Sequence, residues 1–149
     1  MRSTPWVAGA LLLALLLAGC GRSEGEEFRE DSLRPLQQRL ERERARVAAT
    51  LRVVRQRRAS DARALSEDVQ ALAATVRRID GLVPPRDARE AFDEYVRALR
   101  GLVAQLRRLA PPLRRGDGGA LSTVARRVED ATGVVQQRAS GLERALVDV

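Results

Sequence analysis

The strongest constraint on the fold of this chain is the spacing of its apolar residues. Between Leu65 and Ile79 apolar side chains recur in alternating steps of four and three residues, and the stretch from Ala88 to Leu109 repeats these steps. Such spacing places the apolar groups on one face of an α-helix. No segment shows the alternation of apolar and polar residues that is typical of a half-buried strand. We therefore predict an all-α fold.

Two proline pairs and a favoured junction at residues 59–61 divide this pattern into four predicted helices. Pro84 and Pro85 follow the second helix, and Pro111 and Pro112 end the third, because a proline inside a helix removes a hydrogen bond and clashes with the preceding turn. Asp117, in a glycine-rich loop, is a candidate N-cap for the fourth helix. Short connections favour an antiparallel up-down helical bundle. The approximate helix bounds are 32–58, 61–79, 86–109 and 120–147.

The first helix has a clear predicted start and an ambiguous end. Ser32 is a candidate N-cap, and Pro35 falls in the first turn, where a missing N–H is tolerated. The junction at residues 59–61 contains neither glycine nor proline, so the first two helices form either a hairpin or one continuous rod about 70 Å long. We favour the hairpin, because it buries the apolar stripe within one chain; a rod would favour assembly between chains.

The first nineteen residues have the layout of a secretory signal peptide. Arg2 precedes an apolar run over residues 6–17, and small residues follow it. The run is shorter than the roughly 20 residues that a membrane-spanning helix needs. Residues 20–31 are polar, acidic and glycine-containing, so we expect a flexible tether there, followed by a bundle domain over residues 32–149.

The end of this segment, Leu17-Ala18-Gly19-Cys20, resembles the lipobox of bacterial lipoproteins. The resemblance implies that the thiol of Cys20 receives a diacylglyceryl group and that cleavage before Cys20 makes it the mature N-terminus. Two acyl chains anchor a protein durably, where a single chain does not. The expected location is therefore the extracytoplasmic face of a cell membrane, with the lipid on Cys20 as the anchor.

A second, looser resemblance covers about a third of the mature chain. The segment 82–85, the stripe residues Phe92, Tyr95 and Leu99, and the pair Gly116-Asp117 resemble small helical lipoproteins of high-GC bacteria, which are mostly uncharacterised. This resemblance implies a helical fold and the same membrane address, and it brings no catalytic residues. We expect Phe92 and Tyr95 to belong to the core, since both lie on the apolar stripe.

Composition argues against catalysis and against a bound metal or cofactor. The chain has no histidine and one cysteine, so we expect no metal site, no internal disulfide and no imidazole base. Four acids cluster near the start of the third helix, where the helix dipole favours them; we therefore give them no catalytic role and predict that the protein is not an enzyme. These acids are Asp87, Glu90, Asp93 and Glu94.

All 27 basic side chains are arginines, and the formal net charge is +7. Threaded through an up-down bundle, two groups of arginines fall at the end remote from the membrane, which makes them a candidate binding site for an anionic envelope polymer or protein. The alternative is that these arginines only cover solvated faces and favourable helix C-termini. An exported protein is not expected to bind nucleic acid. The candidate residues are Arg52, Arg55, Arg57 and Arg58 in the first helix, and Arg107, Arg108, Arg114 and Arg115 around the end of the third.

Two further possibilities remain open from the sequence. Long heptad-like stripes also pair between chains, so a homo-oligomeric, coiled-coil-like structural or assembly element of the envelope is the alternative function. A stripe of Leu, Val and Ala also looks the same around a filled core and around a cavity that holds a small apolar ligand.

Overall fold

The computed structural model describes residues 23–53 and 59–148. The predicted signal peptide, Cys20, and three of the candidate arginines (Arg55, Arg57 and Arg58) lie outside the described residues. Within these ranges every regular element is helical, so the predicted all-α class is confirmed. The elements are α1 (Glu24–Glu27), a π-helical segment (Phe28–Leu33), α2 (Arg34–Val53), α3 (Ala59–Asp80), a 3-10 turn (Arg86–Ala88), α4 (Arg89–Arg107), α5 (Ala110–Arg115) and α6 (Gly118–Val147).

The helices α2 and α3 form an antiparallel hairpin, as favoured from the sequence. The hydroxyl of Thr50 donates a hydrogen bond of 2.7 Å to Oδ2 of Asp68. In one continuous helix these residues would lie about 27 Å apart. Ala59 begins α3, so residues 59–61, the predicted junction, belong to a helix.

The remaining helices complete an antiparallel up-down bundle. α4 packs against both α3 and α6, and an ion pair of 2.9 Å joins Arg138 of α6 to Glu94 of α4. We call the end formed by α1, the 3-10 turn and the C-terminus of α6 the proximal end. The opposite end, formed by the C-terminus of α2, the start of α3, α5 and the start of α6, is the distal end.

The predicted flexible tether is wrong for residues 24–31, which are helical. Ser23, and not Ser32, is the N-cap: its hydroxyl accepts a hydrogen bond of 3.1 Å from the N–H of Glu26. Phe28 packs edge-to-face on Phe92, with 5.8 Å between ring centroids. An added Cβ on Gly25 would lie 2.2 Å from the carbonyl oxygen of Leu146, so the absence of a side chain lets α1 dock against α6.

Pro35 lies inside a continuous helical path rather than in a first turn. A proline ring clashes with the carbonyl four residues earlier and donates no hydrogen bond. The π-helical segment immediately before Pro35 widens the helix, and the N–H of Arg34 donates to the carbonyl of Arg29, five residues back. This wider turn accommodates the proline without ending the helix.

A short helix that the sequence did not predict closes the distal end. Pro111 and Pro112 lie in the first turn of α5 instead of ending the third helix in a loop, and Pro112 is buried together with Leu113. Gly116 then adopts φ 66°, a left-handed conformation that favours glycine. The predicted N-cap is confirmed, since Oδ1 of Asp117 accepts a hydrogen bond of 2.9 Å from the N–H of Ala120.

The core runs the full length of the bundle along α3 and α4. Leu65, Leu72, Ile79 and Leu99 are fully buried, and Tyr95 is buried with them, as the apolar stripe predicts. Over the described ranges, the helices are either too short or too polar to cross a membrane.

Candidate anion-binding surface

The turn between α4 and α5 places four of the predicted arginines at the distal end. Arg107 ends α4, Arg108 follows it as the C-cap, and Arg114 and Arg115 form the last turn of α5. All four side chains are exposed. Two helix C-termini with outward-facing carbonyls lie here, and cations are favoured at such positions. The local fold therefore explains both the exposure and the tolerance of four neighbouring positive charges.

Arg52, near the end of α2, is the fifth predicted arginine among the described residues. It is exposed, and the antiparallel arrangement carries it to the same end as the other four. The fold thus places residues more than fifty positions apart in the sequence at the same end of the bundle. We call this group the distal arginine cluster; its members are Arg52, Arg107, Arg108, Arg114 and Arg115.

The distal arginine cluster has no carboxylate partner within the part of the chain that the structure describes. Its only side-chain hydrogen bond is a long one of 3.5 Å from Arg108 to Gln105. A neighbour at the same end differs, because Arg63 pairs with Glu67 at 3.0 Å. The cluster therefore leaves its positive charge available to an external anion.

Arginines toward the proximal end, in contrast, are often paired. Arg39 binds Glu43 at 3.1 Å, and Arg138 binds Glu94. A hydrogen bond from Arg34 to Glu30 lowers the pKa of the Glu30 carboxyl below its ordinary value.

The acids near the start of α4 have structural roles that account for their presence. Glu94 has an ion-pair partner, and Glu90 is exposed in the first turn of α4, where the helix dipole favours an acid. That the protein is not an enzyme stays a prediction.

A second cationic feature was missed from the sequence. Arg77 of α3 and Arg100 and Arg107 of α4 line one outward-facing groove of about 240 Å³ between the two helices. Arg100 forms an ion pair with Asp80. Arg77 lies beside Arg78 in the last turn of α3, whereas Arg100 lies inside α4. Only the register of α3 against α4 brings Arg77 and Arg100 to one groove, so no local pattern in the sequence predicts this α3–α4 groove.

Another groove lies between α2 and α6, above α4. It has a volume of about 300 Å³, with Val47, Leu102 and Leu106 among its lining and an ion pair of 2.7 Å between Arg44 and Glu41 on one rim. The size and the mainly apolar lining are those of a small ligand site. The sequence left a cavity of this lining open, and we call this one the α2–α6 groove.

Comparison of the chain with family models, with curated proteins and with solved structures finds no match. Function is therefore argued from the surfaces of this molecule alone.

Two buried polar groups belong to the helix interfaces. Burial raises the pKa of the Tyr95 phenol, against a smaller opposing effect of its hydrogen bond with Gln37. Glu43 is buried in α2, and its Oε2 has no hydrogen-bond partner in the described part of the chain. The other oxygen, Oε1, accepts a hydrogen bond from Arg39, so only one oxygen of this carboxylate is buried without a partner, which reduces stability. No second titratable group beside it indicates a reaction, and within the described ranges no three Cys, Asp or Glu side chains are grouped so as to hold a metal.

Proposed function

We propose that this protein is a membrane-anchored helical lipoprotein of the extracytoplasmic face that binds an anionic component of the cell envelope. The observation that carries the proposal is the distal arginine cluster, an exposed group of guanidinium groups that have no carboxylate partner among residues 23–53 and 59–148. Guanidinium groups form charge-assisted, often bidentate hydrogen bonds with phosphate and carboxylate groups, which makes an acidic polymer or an acidic protein surface the matching partner.

The position of the cluster relative to the proposed anchor supports this role. Helix α1 begins only four residues after Cys20, so a lipid on Cys20 would hold the proximal end close to the bilayer. The distal end would then project by about 45 Å, the length of a 30-residue helix such as α6. Charges at that height lie several Debye lengths from the membrane surface and face the surrounding envelope.

The anchor is tested by the intact mass of the protein recovered from its native membrane fraction. We expect a chain that begins at Cys20 and carries added acyl mass, and a Cys20→Ala variant without that mass. An unmodified wild-type chain in the cytosol would contradict the proposed location and would make nucleic acid the leading anionic partner.

The binding role is tested separately, with the Cys20→Ala chain as the background so that the anchor does not mask the interaction. We would measure its co-sedimentation with isolated cell-envelope polymer at moderate and high salt. Charge reversal of Arg107, Arg108, Arg114 and Arg115 to Glu should abolish sedimentation. Reversal of four exposed arginines elsewhere should preserve most of it, and equal effects of the two sets would contradict the proposal. The matched control positions are Arg42, Arg46, Arg86 and Arg89.

A second candidate role, assembly into a homo-oligomer, is favoured by the α2–α6 groove, for which the occupant would be a second copy. A two-fold axis parallel to the helices would keep both anchors on one side and would set α2 of one copy against α6 of the other. Arg44 and Arg52 would then face Glu129, which follows the groove residue Val128. Ala48→Glu in the groove should split such a dimer in sedimentation velocity, whereas Ala49→Glu, which is exposed outside the groove, should not; a monomeric wild-type chain would exclude this role.

A further inference from the structure

The outward-facing seam between α3 and α4 contains two neighbouring cavities that share one side chain. The cavity of about 240 Å³ is lined by Arg77, Arg100 and Arg107, and a second one of about 220 Å³ is lined by Ser66, Gln70 and, again, Arg107. Because Arg107 borders both cavities, they lie next to each other along the helix axes; from here on, the α3–α4 groove means the two cavities together.

The charge in this groove is unbalanced. Asp80, bound to Arg100, is the only acid that pairs with any of its three arginines within the described ranges. Arg77 and Arg107 are exposed and have no carboxylate partner there. Guanidinium groups that line the same small groove repel one another, and an anion placed between them would relieve this repulsion while accepting their N–H groups.

The floor of the groove allows a ligand chain to approach closely. Ala73, Val76 and Val103 are buried below the arginines. Because these side chains are short, they leave the space above them open to a ligand. At the distal part of the groove, the hydroxyl of Ser66 already donates to the carbonyl of Ala62, so Gln70 is the neutral side chain there that can donate to an anion. The amide of Gln70 both donates and accepts hydrogen bonds.

The length of the groove selects a chain rather than a compact ion. Arg100 and Arg107 are seven residues apart on one helix, about 10 Å along its axis, and the span from Ser66 to Arg77 is about 16 Å. Arg107 also belongs to the distal arginine cluster. The groove and the cluster therefore form a continuous cationic track from the middle of the bundle to its distal end.

We propose that the α3–α4 groove binds a linear segment of a phosphate-bearing polymer, whose successive phosphate groups pair with Arg77, Arg100 and Arg107. This inference deepens the proposed function, on which it rests, by naming the partner class and a second part of its binding surface. The planar guanidinium fork matches phosphate oxygens, and three arginines along one groove offer more than one such contact.

The test measures binding of linear polyphosphate of about 15 units to the Cys20→Ala chain by titration calorimetry across a range of salt concentrations. The Arg77→Gln/Arg107→Gln double variant should weaken binding about tenfold or more, and should reduce the slope of log K against log salt concentration by about two, one for each lost phosphate contact. The Arg89→Gln/Arg97→Gln variant is the matched control. Both residues are exposed on α4, outside the groove, and their substitution removes the same amount of charge. This control should change binding less than twofold.

Two outcomes would overturn the inference. One is equal weakening by the groove variant and its control, which would indicate only a general effect of net charge. The other is full competition by inorganic phosphate at the same phosphate concentration, which would indicate a site for a single ion. Circular dichroism of the groove variant checks its fold, and Arg77→Glu alone provides a second groove variant that should also weaken binding.

The Arg108→Glu/Arg114→Glu/Arg115→Glu variant separates this inference from the proposed function. If this variant loses polyphosphate while the groove variant retains it, the distal cluster binds the anion and the groove inference fails. If neither variant loses binding, the proposed function fails as well.

Discussion

The two halves of α6 show how differently the two ends of this bundle are built. Toward the proximal end, Leu142 and Leu146 are completely buried, Val135 is nearly so, and Gly25 of α1 lies directly against the backbone of Leu146. Toward the distal end, no side chain of α6 before Val135 is buried. The apolar residues there, including Leu121, Val124 and Val128, are only half-buried, and Val128 lines the open α2–α6 groove.

The charges differ only in part between the two ends. Arg34 and Arg138 toward the proximal end have carboxylate partners, whereas the distal arginine cluster has none in the described part of the chain. The exposed Arg86 and Arg89 near the proximal end also lack such a partner among the described residues, so packing separates the two ends more clearly than charge does. Close packing suits a region that holds the fold together, and open apolar surface suits a region that meets a partner. We therefore expect the proximal half to contribute most of the stability, and the proposed binding role falls to the distal half.

The largest expected difference comes from truncating one leucine in each half. Leu142→Ala removes a fully buried side chain and should lower the free energy of unfolding by about 2–5 kcal/mol. Leu121→Ala, at a half-buried position of the same helix, should lower the free energy of unfolding by about 1 kcal/mol or less, because this side chain buries less apolar area from water. Urea unfolding followed by circular dichroism measures both, and equal losses would contradict the division.

The sequence predicts the two halves with unequal success, and the reason is physical. The steps from Leu65 to Ile79 predicted α3 closely, because a strict stripe facing the core needs no knowledge of the partner. Helix α1 was predicted as a tether, because residues 23–31 are acidic and their single aromatic, Phe28, acquires meaning only against Phe92. Runs of arginines at predicted helix ends allowed five of the described candidate arginines to be assigned to one end of the bundle.

Other features could not be found in the sequence because they depend on how helices pair. Arg77 and Arg100 meet through the register of α3 against α4. The tolerance of Pro35 depends on a π-helical segment that has no simple sequence pattern. In the sequence, Gly25 is one residue of a polar segment and has no evident role. In the structure, it is the point where the backbone of α1 closely approaches the backbone of Leu146.

Two glycines sharpen the comparison further. In Gly25→Ala the new Cβ would clash with the carbonyl of Leu146, so α1 should undock and the free energy of unfolding should fall by about 1–3 kcal/mol, as in other overpacked sites. Gly133→Ala, with open space around it in α6, should instead stabilise the protein by about 0.5–1 kcal/mol, because alanine favours the helix. Thermal unfolding of both variants checks the opposite signs; a neutral Gly25→Ala would mean that α1 does not dock tightly.

Titration of the protein's single tyrosine, Tyr95, reports on burial in the middle of the bundle. Because burial raises the pKa of the Tyr95 phenol, its absorbance change at alkaline pH should have a midpoint above the ordinary value of about 10. The unfolded chain ionises first, so the contribution of Tyr95 to stability should be complete below that ordinary value and should be lost as pH rises through the folded-state pKa. An ordinary midpoint in the folded protein would contradict the burial, and Tyr95→Phe provides the blank.

The smallest expected effects concern charge. Arg138→Gln breaks the ion pair with Glu94 and should cost about 0.2–1 kcal/mol, the range for exposed pairs. Arg114→Gln removes a charge without a partner and should leave stability unchanged or raise it by a few tenths of a kcal/mol, about the size of other surface charge effects. Chemical unfolding at low salt resolves the difference, and a clear loss in Arg114→Gln would reveal a structural role for the distal cluster.

Hydrogen–deuterium exchange of the protein with and without isolated cell-envelope polymer tests the division of labour most directly. We expect the polymer to slow exchange in α5 and in the first half of α6, and to leave α1, the π-helical segment and the last turns of α6 unchanged. Protection confined to the proximal end, or no protection anywhere, would contradict the assignment of binding to the distal half.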